Sequence, residues 1–208
     1  MTFPLETERW ETQQPVWPQR GHHLLAHYDD TTIIVYQAYR SAIAEYAVRH
    51  GHFGGEFSLN RMSWIKPGFL WMMHRSGWAT KPDQERILAV RLPREAFETL
   101  LEQAVPSGFQ PERFTTRQRW QAAVKSSDVR VQWDPDHDPH GRPVQRRAVQ
   151  LGLRGDALHR YALDWPVAII DMTDFVVEQR KHRETGRLDL LETPIERVYP
   201  TSATTEGI

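Results

Sequence analysis

The stretch TTIIVYQAYRSAIAEYAVRHG (31–51) decides the fold class of this chain. Its first nine residues are mostly β-branched or aromatic, a composition that packs on a pleated surface, and they predict a strand. Ile43, Ala44, Ala47 and Val48 then recur at i, i+1, i+4 and i+5, which lines up one helical face. Ser41 is placed to cap that helix and Gly51 to stop it. The same order returns downstream. RILAVRL (86–92) predicts a strand, and PREAFETLLEQAV (93–105) predicts a helix with Pro93 at its start and Phe97, Leu100, Leu101 and Ala104 on one face.

Further along, FTTRQRWQAAVKSS (114–127) reads as a short helix. VRVQW (129–133) and VQRRAVQLGL (144–153) alternate, and the Pro/Asp/His loop between them predicts a hairpin with a long tip. DALHRYALDW (156–165) predicts a helix, and PVAIIDMTDFVVEQRKHRE (166–184) a buried strand running into a last helix. Strands and helices mix without a regular βαβ alternation. The expected class is therefore α+β, one domain with a mixed or antiparallel sheet core and flanking helices. That domain is placed at 31–193. Residues 1–30, rich in Pro, Gln, Thr and charge, predict an irregular N-terminal arm, and 194–208 a frayed C-terminal tail.

Composition narrows the function. With 39% hydrophobic residues, 8 Trp, 8 Phe and 6 Tyr in 208, the chain can build a sizeable core. No run approaches the roughly 18–20 apolar residues of a spanning helix, and no secretion signal is visible at the N-terminus. Zero cysteine excludes disulfides, thiolate metal sites and thiol nucleophiles. A cytoplasmic protein without membrane partners is expected. The net charge of −1 lacks the basic excess of a dedicated duplex-DNA binder. No nucleophile elbow, phosphate-binding glycine loop or zinc-protease helix occurs.

RMSWIKPGFLWMMHRSGW (61–78) holds three tryptophans among basic residues. Pro67 and Gly68 interrupt it, so MSWI predicts a short strand or turn and GFLWMMHR a helix of about two turns. Phe69, Leu70, Met72 and Met73 are expected inside with Trp71, and a cation at the C-terminal end suits the helix dipole. Arg61, Lys66, His74, Arg75 and Lys81 flank Trp64, Trp71 and Trp78. Aromatic faces beside cations suit a nucleobase with its phosphates.

In QRRAVQ (145–150), the face carrying Ala148 is expected inward, so Arg146 and Gln150 need partners or line a cavity. WDPDHDPHG (133–141) alternates Asp134, Asp136 and Asp138 with His137 and His140. The calcium-loop template fails there: Pro139 takes the glycine position and Gln145 that of the bidentate glutamate. A solvated hairpin tip is expected, and no metal.

The segments VYQAY (35–39), FSLNRMSWIKPGFLWMMHRSGWATK (57–81), QERILAV (84–90), VRVQWDPDHD (129–138) and RAVQLGL (147–153) resemble a family of uncharacterised bacterial and fungal proteins, domain of unknown function 4291. The likeness spans roughly residues 30–180. At the level of fold, the strand ending VYQAYR, the helix ending at Gly51, the aromatic stretch and the strand ILAVRL look like the opening of the ADP-ribosyltransferase fold. That likeness implies an NAD site at the strand end. Gln37 stands where that fold has His, Tyr39 near its Thr, and Gln150 nearest its late-strand Glu.

The expected function is an enzyme-like domain holding NAD or another adenine nucleotide, related to ADP-ribosyltransferases. Tyr36, Tyr39 and Trp64 wall the base. Arg40, Arg61 and Lys66 meet the pyrophosphate, Gln37 the ribose, and Arg146 is a further cofactor-binding candidate. His74, whose unperturbed pKa lies near neutrality, is the expected acid/base, with Gln150 beside it. The alternative is a non-catalytic module binding single-stranded RNA or DNA on segment 61–81.

Overall fold

The computed structural model describes residues 5–201. In chain order it contains β1 (Thr7–Arg9), α1 (Trp10–Gln13), β2 (Gly21–His22), β3 (Leu25–Ala26), β4 (Thr32–Tyr39), α2 (Ser41–His50), β5 (Ser63–Ile65) and α3 (Phe69–Ser76). These are followed by β6 (Arg86–Pro93), α4 (Arg94–Glu102), β7 (Ala104–Pro106), α5 (Arg117–Ser126), β8 (Val129–His137) and β9 (Pro143–Leu153). The chain closes with α6 (Gly155–Leu163), β10 (Ala168–Asp171), α7 (Thr173–Glu184), β11 (Glu192–Pro194) and β12 (Arg197–Val198). The class is α+β.

Two sheets carry the domain. The first is antiparallel in the order β10–β6–β4. Ile33, Val35, Leu88 and Val90 face one core cluster, and Ile34, Tyr36, Ile87 and Ala89 face a second. A sheet covered on both faces needs apolar residues at consecutive positions, which is why TTIIVY runs apolar without alternating. The second sheet runs β2–β9–β8–β7. The outer edge of β9 is shared: β2 pairs in parallel at Arg146 and Arg147, and β5 pairs antiparallel at Leu151–Leu153.

The helices keep most of their sequence signals, but Ser41 is the first residue of α2 and not its cap: Arg40 takes the capping position, with no side-chain cap bond. α2 ends on Gly51 at φ 73°, a left-handed conformation that glycine adopts without a Cβ clash. α4 buries Ala96, Phe97, Leu100 and Leu101.

The hairpin and the chain ends depart from expectation. β8 runs on to His137, beyond the expected Trp133, so the tip shrinks to Asp138–Arg142. Asp138 closes it by accepting the amides of His140 and Arg142 at 2.9 Å. The tail expected to fray is packed as far as Tyr199. β11 pairs with β1, β12 with β3, and Glu196 and Tyr199 are buried. Two- and three-residue strands carry no period, so only their partners reveal them. Within the expected arm, Gln13 is buried and donates to Thr193 Oγ1 at 2.8 Å.

Candidate functional site

The cleft opens where the two sheets meet. β5 is hydrogen-bonded to β9, and Lys66, just beyond it, exchanges backbone bonds of 2.7 and 3.2 Å with Tyr36 of β4. The space left there has a volume of about 780 Å³. It is lined by Gln37 and Tyr39 of β4, Arg40 at the start of α2, and Glu56, Phe57 and Arg61 of the loop before β5. Ser63 and Trp64 of β5, Lys66, Arg75 of α3, Asp83 and Gln84 complete that side. Gln132 and Gln150 close it from β8 and β9.

One end is a network of neutral groups. Gln37 Nε2 donates to Ser63 Oγ at 2.9 Å and to the Trp64 carbonyl at 3.3 Å. Its Oε1 accepts the Tyr161 hydroxyl at 2.7 Å, and the Tyr39 hydroxyl lies 2.9 Å from Ser63 Oγ. Burial raises the Tyr39 and Tyr161 phenols above their ordinary values, so both stay protonated donors.

On the opposite wall Gln132 and Gln150 are directly paired across β8 and β9. Their amides donate to the two carboxylate oxygens of Asp134, each at 2.8 Å. Trp64 lies across β9 at Gly152, where a Cβ would come within 2.9 Å of the indole. Only a glycine leaves room for that ring.

The charges are cationic in balance. Arg40 is paired with Glu56 at 2.6 Å. Arg61 and Arg75 are exposed and form no ion pair among the described residues. Lys66 is buried, and its Nζ donates to the Trp64 carbonyl at 3.3 Å. Burial pushes its ammonium down to about 7, with Arg75 acting in the same direction and Asp134 against it.

Seven residues expected at the site thus line one cleft: Gln37, Tyr39, Arg40, Arg61, Trp64, Lys66 and Gln150. Three lie elsewhere. Strand alternation turns Tyr36 away from Gln37 and Tyr39, and its ring packs against Phe69 at 5.6 Å in the second core. His74 is not in the lining. It stacks on His137 with centroids 3.5 Å apart and on Trp71 at 5.4 Å, and burial first, then His137, lowers its pKa. Arg146 is bound to Asp136 at 2.6 Å and to the Pro18 carbonyl at 2.7 Å, under the Trp17 ring. A buried pair so fully engaged is an internal tie.

The sequence reading missed Ser63, Gln132, Tyr161 and Glu56. Ser63 and Gln132 had a signal, one beside Trp64 and the other opposite Gln150 in the hairpin. Tyr161 and Glu56 come from elements whose approach no local pattern records. Among the described residues no three His, Asp or Glu side chains converge to hold a metal ion. Asp134, Asp136 and Asp138 are each bonded within the protein.

The family described as Domain of unknown function (DUF4291) matches residues 23–199. The chain belongs to this family. The match takes in every element that lines the cleft. No curated protein matches the chain. No helix among the described residues is long and apolar enough to cross a membrane.

Proposed function

We propose that the cleft binds a phosphorylated nucleotide, with NAD or a related adenine nucleotide as the first candidate. The observation that carries this is the meeting of Arg61 and Arg75, both without ion pairs among the described residues, with the aromatic walls of Tyr39, Phe57 and Trp64 in one space of about 780 Å³. That size lies in the range of small-molecule sites. Guanidinium groups bind phosphate through planar, charge-assisted hydrogen bonds, and aromatic faces take a base. The Gln37–Ser63–Tyr39 network offers the hydroxyl and amide groups that a ribose needs.

Gln37 and Gln150, the positions singled out by the likeness to ADP-ribosyltransferases, share this cleft. A carboxylate, Asp134, stands behind Gln150. Both points favour chemistry at a ribose, in an enzyme-like domain. A running strand of RNA or DNA is less favoured, because the chain as a whole carries a net charge of −1 and lacks a basic excess. The cysteine-free sequence is consistent with a cytoplasmic setting.

The test is a tryptophan-fluorescence titration with NAD, AMP and a short single-stranded RNA at low and high salt. Saturable quenching by the nucleotides, surviving in salt, is the expected result. Quenching by RNA alone, lost in salt, would place the protein among nucleic-acid-binding modules.

A further inference from the structure

We propose that Lys66 is an amine nucleophile that captures the open-chain carbonyl of a phosphorylated sugar as an imine. The inference rests on the nucleotide reading only for the phosphate-binding character of the cleft. Its ground is how Lys66 is held. The residue is 4% exposed yet lines the cleft. Its backbone N–H and C=O are both bonded to Tyr36, so the start of the stem is fixed. At the other end, Nζ donates one hydrogen bond, to the Trp64 carbonyl at 3.3 Å, and has no carboxylate within ion-pair range among the described residues.

A buried ammonium without a carboxylate is costly, and a buried neutral amine costs far less. The neutral amine is the nucleophilic form. Arg75 lines the same cleft and adds a positive charge that disfavours a second one on Lys66. Desolvation beside a cation is a known way of making a lysine react at neutral pH. The same arginine, with Arg61, is available to a phosphate. An anionic carbonyl compound would thus be delivered to an amine kept uncharged.

The step balances without a co-reactant. The Nζ lone pair forms a bond to the carbonyl carbon, and one Nζ proton passes to the carbonyl oxygen. The resulting C–OH bond then breaks. Hydroxide leaves with the second Nζ proton as water, and a C=N bond remains.

The chain has four lysines, and Lys81, Lys125 and Lys181 are exposed, so they serve as internal references. The protein is incubated at pH 7 with ribose 5-phosphate and cyanoborohydride, which reduces any imine to a stable secondary amine, and the adducts are mapped by peptide mass spectrometry. Lys66 is expected to be labelled at least about tenfold faster than the three references, because only it is substantially neutral at that pH. The Lys66→Arg variant, checked for folding by circular dichroism, should lose that label and keep the slow background.

Label on the surface lysines with Lys66 trailing overturns the proposal. AMP, which has no free carbonyl, separates the two ideas. Protection of Lys66 by AMP supports both. Fast labelling that AMP does not block upholds the nucleophile and removes the nucleotide reading. Binding of AMP by fluorescence with Lys66 unlabelled removes the nucleophile alone.

Discussion

Tyr161 on α6 donates its hydroxyl to Gln37 Oε1 on β4 at 2.7 Å, across 124 residues of chain. That bond fixes which way the amide faces. With Oε1 engaged, Nε2 must point at Ser63 and the Trp64 carbonyl. The orientation of a cleft group is thus set by a fully buried residue that takes no part in the lining.

Tyr161→Phe should therefore act in two ways. Leaving Oε1 of a buried amide without its donor costs about 1–3 kcal/mol, which urea denaturation would read. The freed amide can also flip, so nucleotide affinity should fall with it. A variant that loses stability but binds unchanged would remove Gln37 from the site.

Arg61 is exposed and has no side-chain hydrogen bond or ion pair among the described residues, so it can be removed cleanly. Arg61→Ala should weaken nucleotide binding by about tenfold, the loss of one charge-assisted contact, and leave the melting temperature within a degree or two. If instead the variant unfolds, Arg61 supports the structure and the site is misassigned.

Arg146 should behave in the opposite way. Its side chain is 7% exposed beside Asp136 at 9%, so Arg146→Ala leaves a buried carboxylate without its partner. The expected cost is about 3–5 kcal/mol. Replacing both residues by leucine should recover much of it. Nucleotide affinity of the folded fraction should not change, because the pair lies outside the cleft lining.

Glu196 gives a pH signature. Its carboxylate accepts the Phe69 amide at 2.7 Å at the start of α3, and burial pushes it up to about 8. Between the unfolded value near 4.5 and 8 the folded protein keeps a proton that the unfolded chain has lost. Stability from this group therefore falls as pH rises through that window and levels off above it. Glu196→Gln cannot titrate. Wild type should lose roughly 1.4 kcal/mol per pH unit against the variant between pH 5 and 8, as read by urea midpoints. Parallel pH profiles would show that Glu196 is not held protonated.

Lys66 has the reverse sign. Its folded value of about 7 lies below that of a free lysine, so the cost of burying the ammonium is full below pH 7 and gone near 10.5. Lys66→Met should stabilise the protein most in acid and progressively less toward pH 10. A gain independent of pH would mean packing alone, with no titration at this position.

By itself, the sequence determined the elements that carry a period or a stop. β4 and α2, β6 and α4, and the turn before α3 are readable because each apolar repeat, proline or glycine acts on its own few residues. It also grouped Arg61, Trp64 and Lys66, proposed above for a phosphate and a base, because they are close in the chain. Tyr36 was expected in the site with Gln37 and Tyr39, and the structure turns it into the second core, as strand alternation requires. Only the tertiary structure decided which candidates share a space. His74 was drawn into a stack with His137, and Arg146 was taken by Asp136, because a buried ring or charge goes to the partner that packing offers it. The divided edge of β9, the paired chain ends and the reach of Tyr161 to Gln37 join residues far apart in sequence. Hydrogen bonds of that kind depend on the register between elements, which no single segment encodes.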